Sequence, residues 1–176
     1  MTEPEVSIKI ALYYIRNGLT DKDVKVSIDG AHVKTGNTVH FDIKSYMAGE
    51  GCIKIDGKLE RWQGVYAVSG CEPKIIVSSE PGIGDVNIKL LDGKQLYVES
   101  KKGKKEKAGQ EYPLMREAIG QLMTGCTMAE NIIPVVAVPY SAKSNELAIR
   151  WAGLPQIKMV GIKFFLVKED GSIVYK

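Results

Sequence analysis

The sequence predicts an α/β fold, a sandwich of helices around a mixed sheet, in one domain spanning residues 1–176. Three features predict it. A helical pattern opens the chain, period-two alternation of apolar residues fills its middle, and helical and strand-like stretches then take turns to the end. At 176 residues, 44% apolar, the chain can close one hydrophobic core and is short for two.

Residues 3–17 read as a helix, with Pro4 in the first turn, Val6, Ile8, Leu12 and Ile15 set among Glu5, Lys9 and Arg16, and Gly18 as the stop. From Val24 to Ser79 the pattern becomes β-rich. Its alternating segments are Val24, Val26 and Ile28; Val39, Phe41 and Ile43; Ile53 and Ile55; Val65 to Val68; and Ile75 to Val77, with Asp29-Gly30 and Asp56-Gly57 as hairpin-type turns. Next, Val86, Ile88 and Leu90 alternate, Asp92-Gly93 turns the chain, and Leu96 and Val98 alternate back into Glu99, which is a β-hairpin ending in an acid. Pro113 opens a helix with an apolar stripe of Met115, Ala118, Ile119, Leu122 and Cys126. The apolar run from Ile132 to Val138 is too short for a buried helix and rich in β-branched residues, so it reads as a central strand. A helix over about 142–152, a strand over 162–167 and a last hairpin through Asp170-Gly171 complete the chain.

Composition narrows the function. No apolar stretch is long enough to cross a bilayer, and Glu3, Pro4 and Glu5 stand where a secretory signal needs positive charge, so a cytoplasmic protein is expected. Cys52, Cys71 and Cys126 are scattered and odd in number, and only His32 and His40 could assist them, which argues against a disulfide framework or a structural zinc site. Neither a Ser-His-Asp set nor a Walker-type glycine loop is present. The net charge of +3 declares no partner, but Lys101, Lys102, Lys104, Lys105 and Lys107 fall within seven residues. Such a run is most often a solvated loop. Its position directly after the candidate site makes it a candidate phosphate-holding arm. Trp62, Tyr66, Tyr46 and Arg61 could touch nucleic acid, although aromatic residues in strands more often belong to the core.

The chemistry-bearing constellation is Asp85 at the start of one hairpin strand, and Glu99 and Lys101 at the end of the other. Residues two apart on an extended strand project from the same sheet face, so Glu99 and Lys101 point together while Ser100 points away and offers its carbonyl sideways. The hairpin brings this pair level with Asp85, and Glu80-Pro81-Gly82-Ile83-Gly84 reads as the turn that positions it. Two carboxylates and a carbonyl form the hard oxygen set that Mg²⁺ (or Mn²⁺) accepts, and an ammonium beside them supplies positive charge where a phosphate's charge grows.

Gly84-Asp85, thirteen intervening residues, then Glu99-Ser100-Lys101 resembles the D…(D/E)-x-K signature of the PD-(D/E)XK nuclease superfamily, with Gly84 in place of the family's proline. The segment Arg116-Glu117-Ala118-Ile119-Gly120-Gln121-Leu122 is similar to the helix that follows that signature and presents a glutamine to the site; the tyrosine that exonuclease-like members place four residues later is Gly125 here. The resemblance covers roughly residues 80–140 and the first helix. It implies a restriction-endonuclease-like αβββαβ sandwich with a mixed central sheet, the β-rich stretch 20–75 being an insertion after the first helix. It further implies a DNA endonuclease in which Asp85, Glu99, the Ser100 carbonyl and a first-helix acid, Glu5, hold Mg²⁺, Lys101 assists the water, and Gln121 orients substrate or water. Lys102, Lys104, Lys105, Lys107 and Arg116 would contact DNA, and cutting both strands would call for a homodimer. A junction resolvase, an RNA-cutting toxin domain and a non-catalytic nucleic-acid-binding module are the alternatives. A second occurrence of the letters, Asp29 followed after twelve residues by Asp42-Ile43-Lys44, lacks the following polar-faced helix and ranks behind the first.

Overall fold

The computed structural model describes residues 1–56, 58–80, 82, 84–103, 110–127 and 129–176. Along them run α1 (Glu3–Arg16), β1 (Val24–Ser27), α2 (Gly30–Val33), β2 (Lys34–Thr35), β3 (Thr38–Val39), α3 (Ile43–Gly49), β4 (Cys52–Lys54), β5 (Gly64–Val68), β6 (Lys74–Ser78), β7 (Val86–Lys89), β8 (Gln95–Ser100), α4 (Glu111–Gly125), β9 (Ile132–Pro139), α5 (Ala142–Ala152), α6 (Pro155–Val160), β10 (Lys163–Val167) and β11 (Ile173–Tyr175). Nine strands form one sheet in the order β11-β10-β9-β8-β7-β1-β6-β5-β4, and β2 pairs with β3 apart from it. The sheet is mixed, because β1 runs parallel to β6 but antiparallel to β7, and β9 runs parallel to both β8 and β10. This is the α/β architecture that the sequence predicts.

The N-terminus of α1 is closed reciprocally. The Thr2 hydroxyl accepts from the Glu5 N–H at 3.3 Å, and the Glu5 carboxylate accepts from the Thr2 N–H at 3.1 Å. With Val6, Ile8, Ile10, Leu12 and Ile15 all buried, the helix lies on one sheet face against Val24, Val26, Val86, Ile88, Leu96 and Val98, on the side that also holds α2 and α3. Its one deeply buried cation, Lys9, donates to the Glu169 carbonyl at 2.9 Å and lies 3.8 Å from Glu50. The other face is covered by α4, α5 and α6, whose Met115, Leu122, Leu147 and Trp151 pack on Val136, Val138, Phe164 and Leu166. Strand β9 is therefore covered on both faces, which explains its unbroken apolar run. No residue of β1 or β4–β7 joins this second core, so that half of the sheet carries helices on one face only, among the described residues.

Several expectations are corrected. Of Val39, Phe41 and Ile43 only Val39 lies in a strand, the two-residue β3: the Asp42 carboxylate accepts from the Ser45 N–H at 3.1 Å and starts α3, which buries Ile43 and Met47 one turn apart. Asp29 likewise caps α2 through the Ala31 N–H at 2.9 Å and does not turn a hairpin. The segment 20–75 is no insertion beside the sheet, since β1 lies between β6 and β7 in its interior and β4–β6 continue it. The helix expected from Pro113 begins earlier, at Glu111. Helix α6 was not expected at all, although Pro155 in its first turn and Gly161, at φ 80°, past its end bracket it.

Candidate active site

The β7–β8 hairpin sets the site. Val86 pairs with Val98 and Asn87 with Tyr97, so Asp85, immediately before β7, comes level with Glu99. Its backbone is tied on both sides: the Asp85 N–H donates to the Val98 carbonyl at 2.7 Å, and its carbonyl accepts from the Ser27 N–H at 2.8 Å. Gly84 makes this approach possible. It sits at φ 72°, where proline cannot, and a Cβ there would lie 2.8 Å from the Val98 carbonyl oxygen.

The Asp85 carboxylate accepts from the Ser100 N–H at 2.7 Å. The Lys101 N–H donates to Ala137 on β9, on the opposite side of the strand. Since the N–H and C=O of one strand residue face the same lateral side, the Ser100 carbonyl also faces Asp85. The Ser100 hydroxyl points through the sheet to the α1 side, where it accepts from the Ser7 hydroxyl at 2.9 Å. Lys101, only 4% exposed, lies 3.5 Å from Glu99 and 3.3 Å from Glu117 of α4. The sequence therefore brings Asp85, Glu99 and Lys101 together as expected from strand alternation.

The electrostatics show too many acids for one ammonium. Burial, then the charge of Glu99, pushes the Asp85 carboxyl up to about 8. Burial raises Glu99 as well, against the pull of Lys101. Burial alone would depress Lys101, but Glu3, Glu99, Asp85 and Glu117 together outweigh it and hold the ammonium above its ordinary value, so Lys101 is a cation throughout the neutral range. Glu3 is felt by Asp85, Glu99 and Lys101 alike, and its carboxylate lies 3.5 Å from His32.

Of the acids of α1, Glu3 is thus the one whose charge reaches these three groups. The expected residue, Glu5, is occupied by the helix cap, and its Thr2-x-x-Glu5 spacing is the sequence signal that could have shown this. Gln121 lines a cleft of about 570 Å³ together with Asp85, Glu99, Ser27, Ser79 and Glu80. Arg116 turns elsewhere, stacking over Tyr112 at 5.6 Å beside Trp151, so it does not reach this cleft. Lys102 is exposed next to the site; Lys104, Lys105 and Lys107 lie outside the described residues. In the second letter set, Lys44 donates to the Leu59 and Glu60 carbonyls, and Asp29 and Asp42 are helix caps.

Among the described residues no group of three or more His, Cys, Asp or Glu side chains is gathered as a metal cage. The donors on offer are two carboxylates and one backbone carbonyl, which suits an ion that keeps most of its water. Two crowded, half-buried carboxylates, both held above their usual titration range, are what such an ion would relieve. No helix among the described residues is long and apolar enough to span a membrane. Comparison of the chain with family models, curated proteins and solved structures found no match.

Proposed function

We propose that this chain is a metal-dependent nuclease that hydrolyses DNA phosphodiesters at Asp85, Glu99 and Lys101, in the manner of the PD-(D/E)XK enzymes that its sequence resembles. One observation carries the reading: two carboxylates from adjoining antiparallel segments meet in the wall of an open cleft, with the buried Lys101 ammonium 3.5 Å from Glu99 and negative charge in excess. The finer fold reading, restriction-endonuclease-like, draws its support from α1, the adjacent strands β1, β7 and β8, then α4 and β9.

An Mg²⁺ or Mn²⁺ ion held by Asp85, Glu99 and the Ser100 carbonyl would supply a Lewis acid and a water of lowered pKa. The remaining work belongs to the chain. Lys101 is fixed between Glu99 and Glu117, so its charge is aimed before substrate arrives and needs no reorganisation as negative charge builds on the phosphate oxygens. Being a firm cation, it orients a nucleophilic water and stabilises charge; it does not remove a proton. Gln121 offers an amide from the cleft wall to hold that water or a phosphate oxygen. The Asp85 to Ser100 hydrogen bond keeps the two acids in register.

The test is cleavage of plasmid, branched DNA and RNA with Mg²⁺, Mn²⁺ or a chelator, comparing wild type with Lys101→Met. The expected result is metal-dependent cutting of DNA that drops at least about 100-fold in the variant. Cutting that survives the substitution overturns the assignment of Lys101. Binding without cutting under every condition leaves the non-catalytic module in its place.

A further inference from the structure

The helix-free face of the sheet runs straight out of the cleft. Its side chains fall into rows across the strands. Ser78, Ser27, Asp85 and Glu99 form the row at the site, because Ser27 pairs with Ser78 and is bonded to Asp85. The next row is Val65, Ile76, Lys25, Asn87 and Tyr97. The third brings in Ala67, Lys74, Lys89 and Gln95. Successive rows on one face lie about 7 Å apart and neighbouring strands about 4.8 Å apart. Lys25 is thus one row from the catalytic acids, and Lys89 two rows.

The charge on this face is uneven. Lys25 and Lys89 are exposed, and Lys74 is half-buried. The acids along it, among the described residues, include the site's own Asp85 and Glu99, Glu80 in the cleft wall, and Asp23, whose carboxylate already accepts from the Lys74 N–H at 2.9 Å. Around the lysines stand neutral hydrogen-bonding groups: Ser27, Ser78, Asn87 bonded to Gln95 at 2.6 Å, and Ser79 bonded to Gln63 at 3.1 Å. Ser27 and Ser79 also line the cleft, so face and cleft are one surface. Cations spaced out from an acidic centre and interleaved with hydroxyls and amides complement a phosphodiester chain, whose charges recur about every 3.4 Å along a strand. The large apolar residues Ile53 and Ile55 lie at the far edge, beyond this path.

We propose that this open face, through Lys25 and Lys89, holds the nucleic-acid backbone a few nucleotides from the point of cutting. The proposal rests on the nuclease reading and is separable from it, because holding needs these lysines and cutting needs Lys101.

The experiment measures binding of a labelled duplex and its single strand in Ca²⁺, and cutting in Mg²⁺, for wild type, Lys25→Glu/Lys89→Glu and the control Lys158→Glu/Lys163→Glu, whose lysines are exposed outside this face. The first pair is expected to lose at least tenfold in affinity. Its slope of log affinity against log salt should flatten by about 2 between about 50 and 200 mM, with the control unchanged. Wild-type affinity and slope in the first pair overturn the proposal, as does an equal loss in the control. So does a change confined to oligomeric mass, which makes the face a contact between copies. If wild type cuts DNA and the Lys25/Lys89 variant binds and cuts equally well, the face is wrong and the active site stands. If wild type binds and never cuts, the catalytic reading fails and the binding data still judge the face. If wild type binds no nucleic acid, both fall.

Discussion

Asp85→Asn removes one charge from the cleft while keeping the side chain's shape and an oxygen that can accept from the Ser100 N–H. An ordinary aspartate gives up its proton near 3.8, whereas in the folded chain burial and Glu99 hold the proton to about 8. Between those pH values the unfolded chain binds fewer protons than the folded one, so the Asp85 contribution turns against folding as pH rises. At about 1.4 kcal/mol for each pH unit the whole interval is worth roughly 5–6 kcal/mol, a ceiling because Asp85 and Glu99 titrate together. About half of it, 2–3 kcal/mol, is expected to be recovered by substituting one partner. For a chain of this size that is a gain of roughly 5–10 °C in Tm at pH 8. The gain should shrink steadily as pH falls and vanish below the ordinary value of 3.8, where Asp85 is protonated in both states. The assay is thermal and urea denaturation at several pH values with and without Mg²⁺, alongside cleavage. The variant should be inactive, more stable than wild type at pH 8, and much less stabilised by Mg²⁺. Equal or lower stability at pH 8, or a gap that ignores pH, would refute the charge argument.

Other substitutions probe single supports. Gly84→Ala places a Cβ against the Val98 carbonyl at a φ of 72°, and should cost about 1–3 kcal/mol while depressing any cleavage through displacement of Asp85, read by denaturation and rate together. Glu5→Ala should lower stability by about 1 kcal/mol and leave turnover intact, whereas Glu3→Gln should change turnover or its Mg²⁺ dependence with little loss of stability; the reverse pattern would restore Glu5 to the site. Ser7→Ala leaves the Ser100 hydroxyl without its buried partner and should cost about 1–3 kcal/mol by urea titration. Lys44→Ala loses only exposed contacts to the Leu59 and Glu60 carbonyls, so stability should move by less than about 0.5 kcal/mol and cleavage not at all.

The β7–β8 hairpin, α4, β9 and α5 were legible in the sequence because periodicity, turn residues and length agree at each of them. Asp85, Glu99 and Lys101 could be placed for the same reason, since a hairpin's register is a local property. What escaped was either ambiguous or remote. Val39, Phe41 and Ile43 imitate a strand, yet Asp42 and Ser45 three residues apart cap a helix and decide otherwise. The position of β1 between β6 and β7 has no local signature, since its partners lie some fifty residues further on, from Ile75. The electrostatic role of Glu3 depends on how α1 lies across the sheet, which no spacing within the helix reveals.

Ser7 and Ser100, joined through the sheet, are 93 residues apart in the chain, and β1 waits for β6 and β7 before it has any neighbour. Contacts so distant close slowly, because the loop entropy falls due before they give anything back. During synthesis the first half of the protein therefore emerges with an orphaned strand and a helix lacking its seat. Asp85 in that half stands without Glu99 and Lys101, so the proposed site does not exist until more than half of the chain has been made.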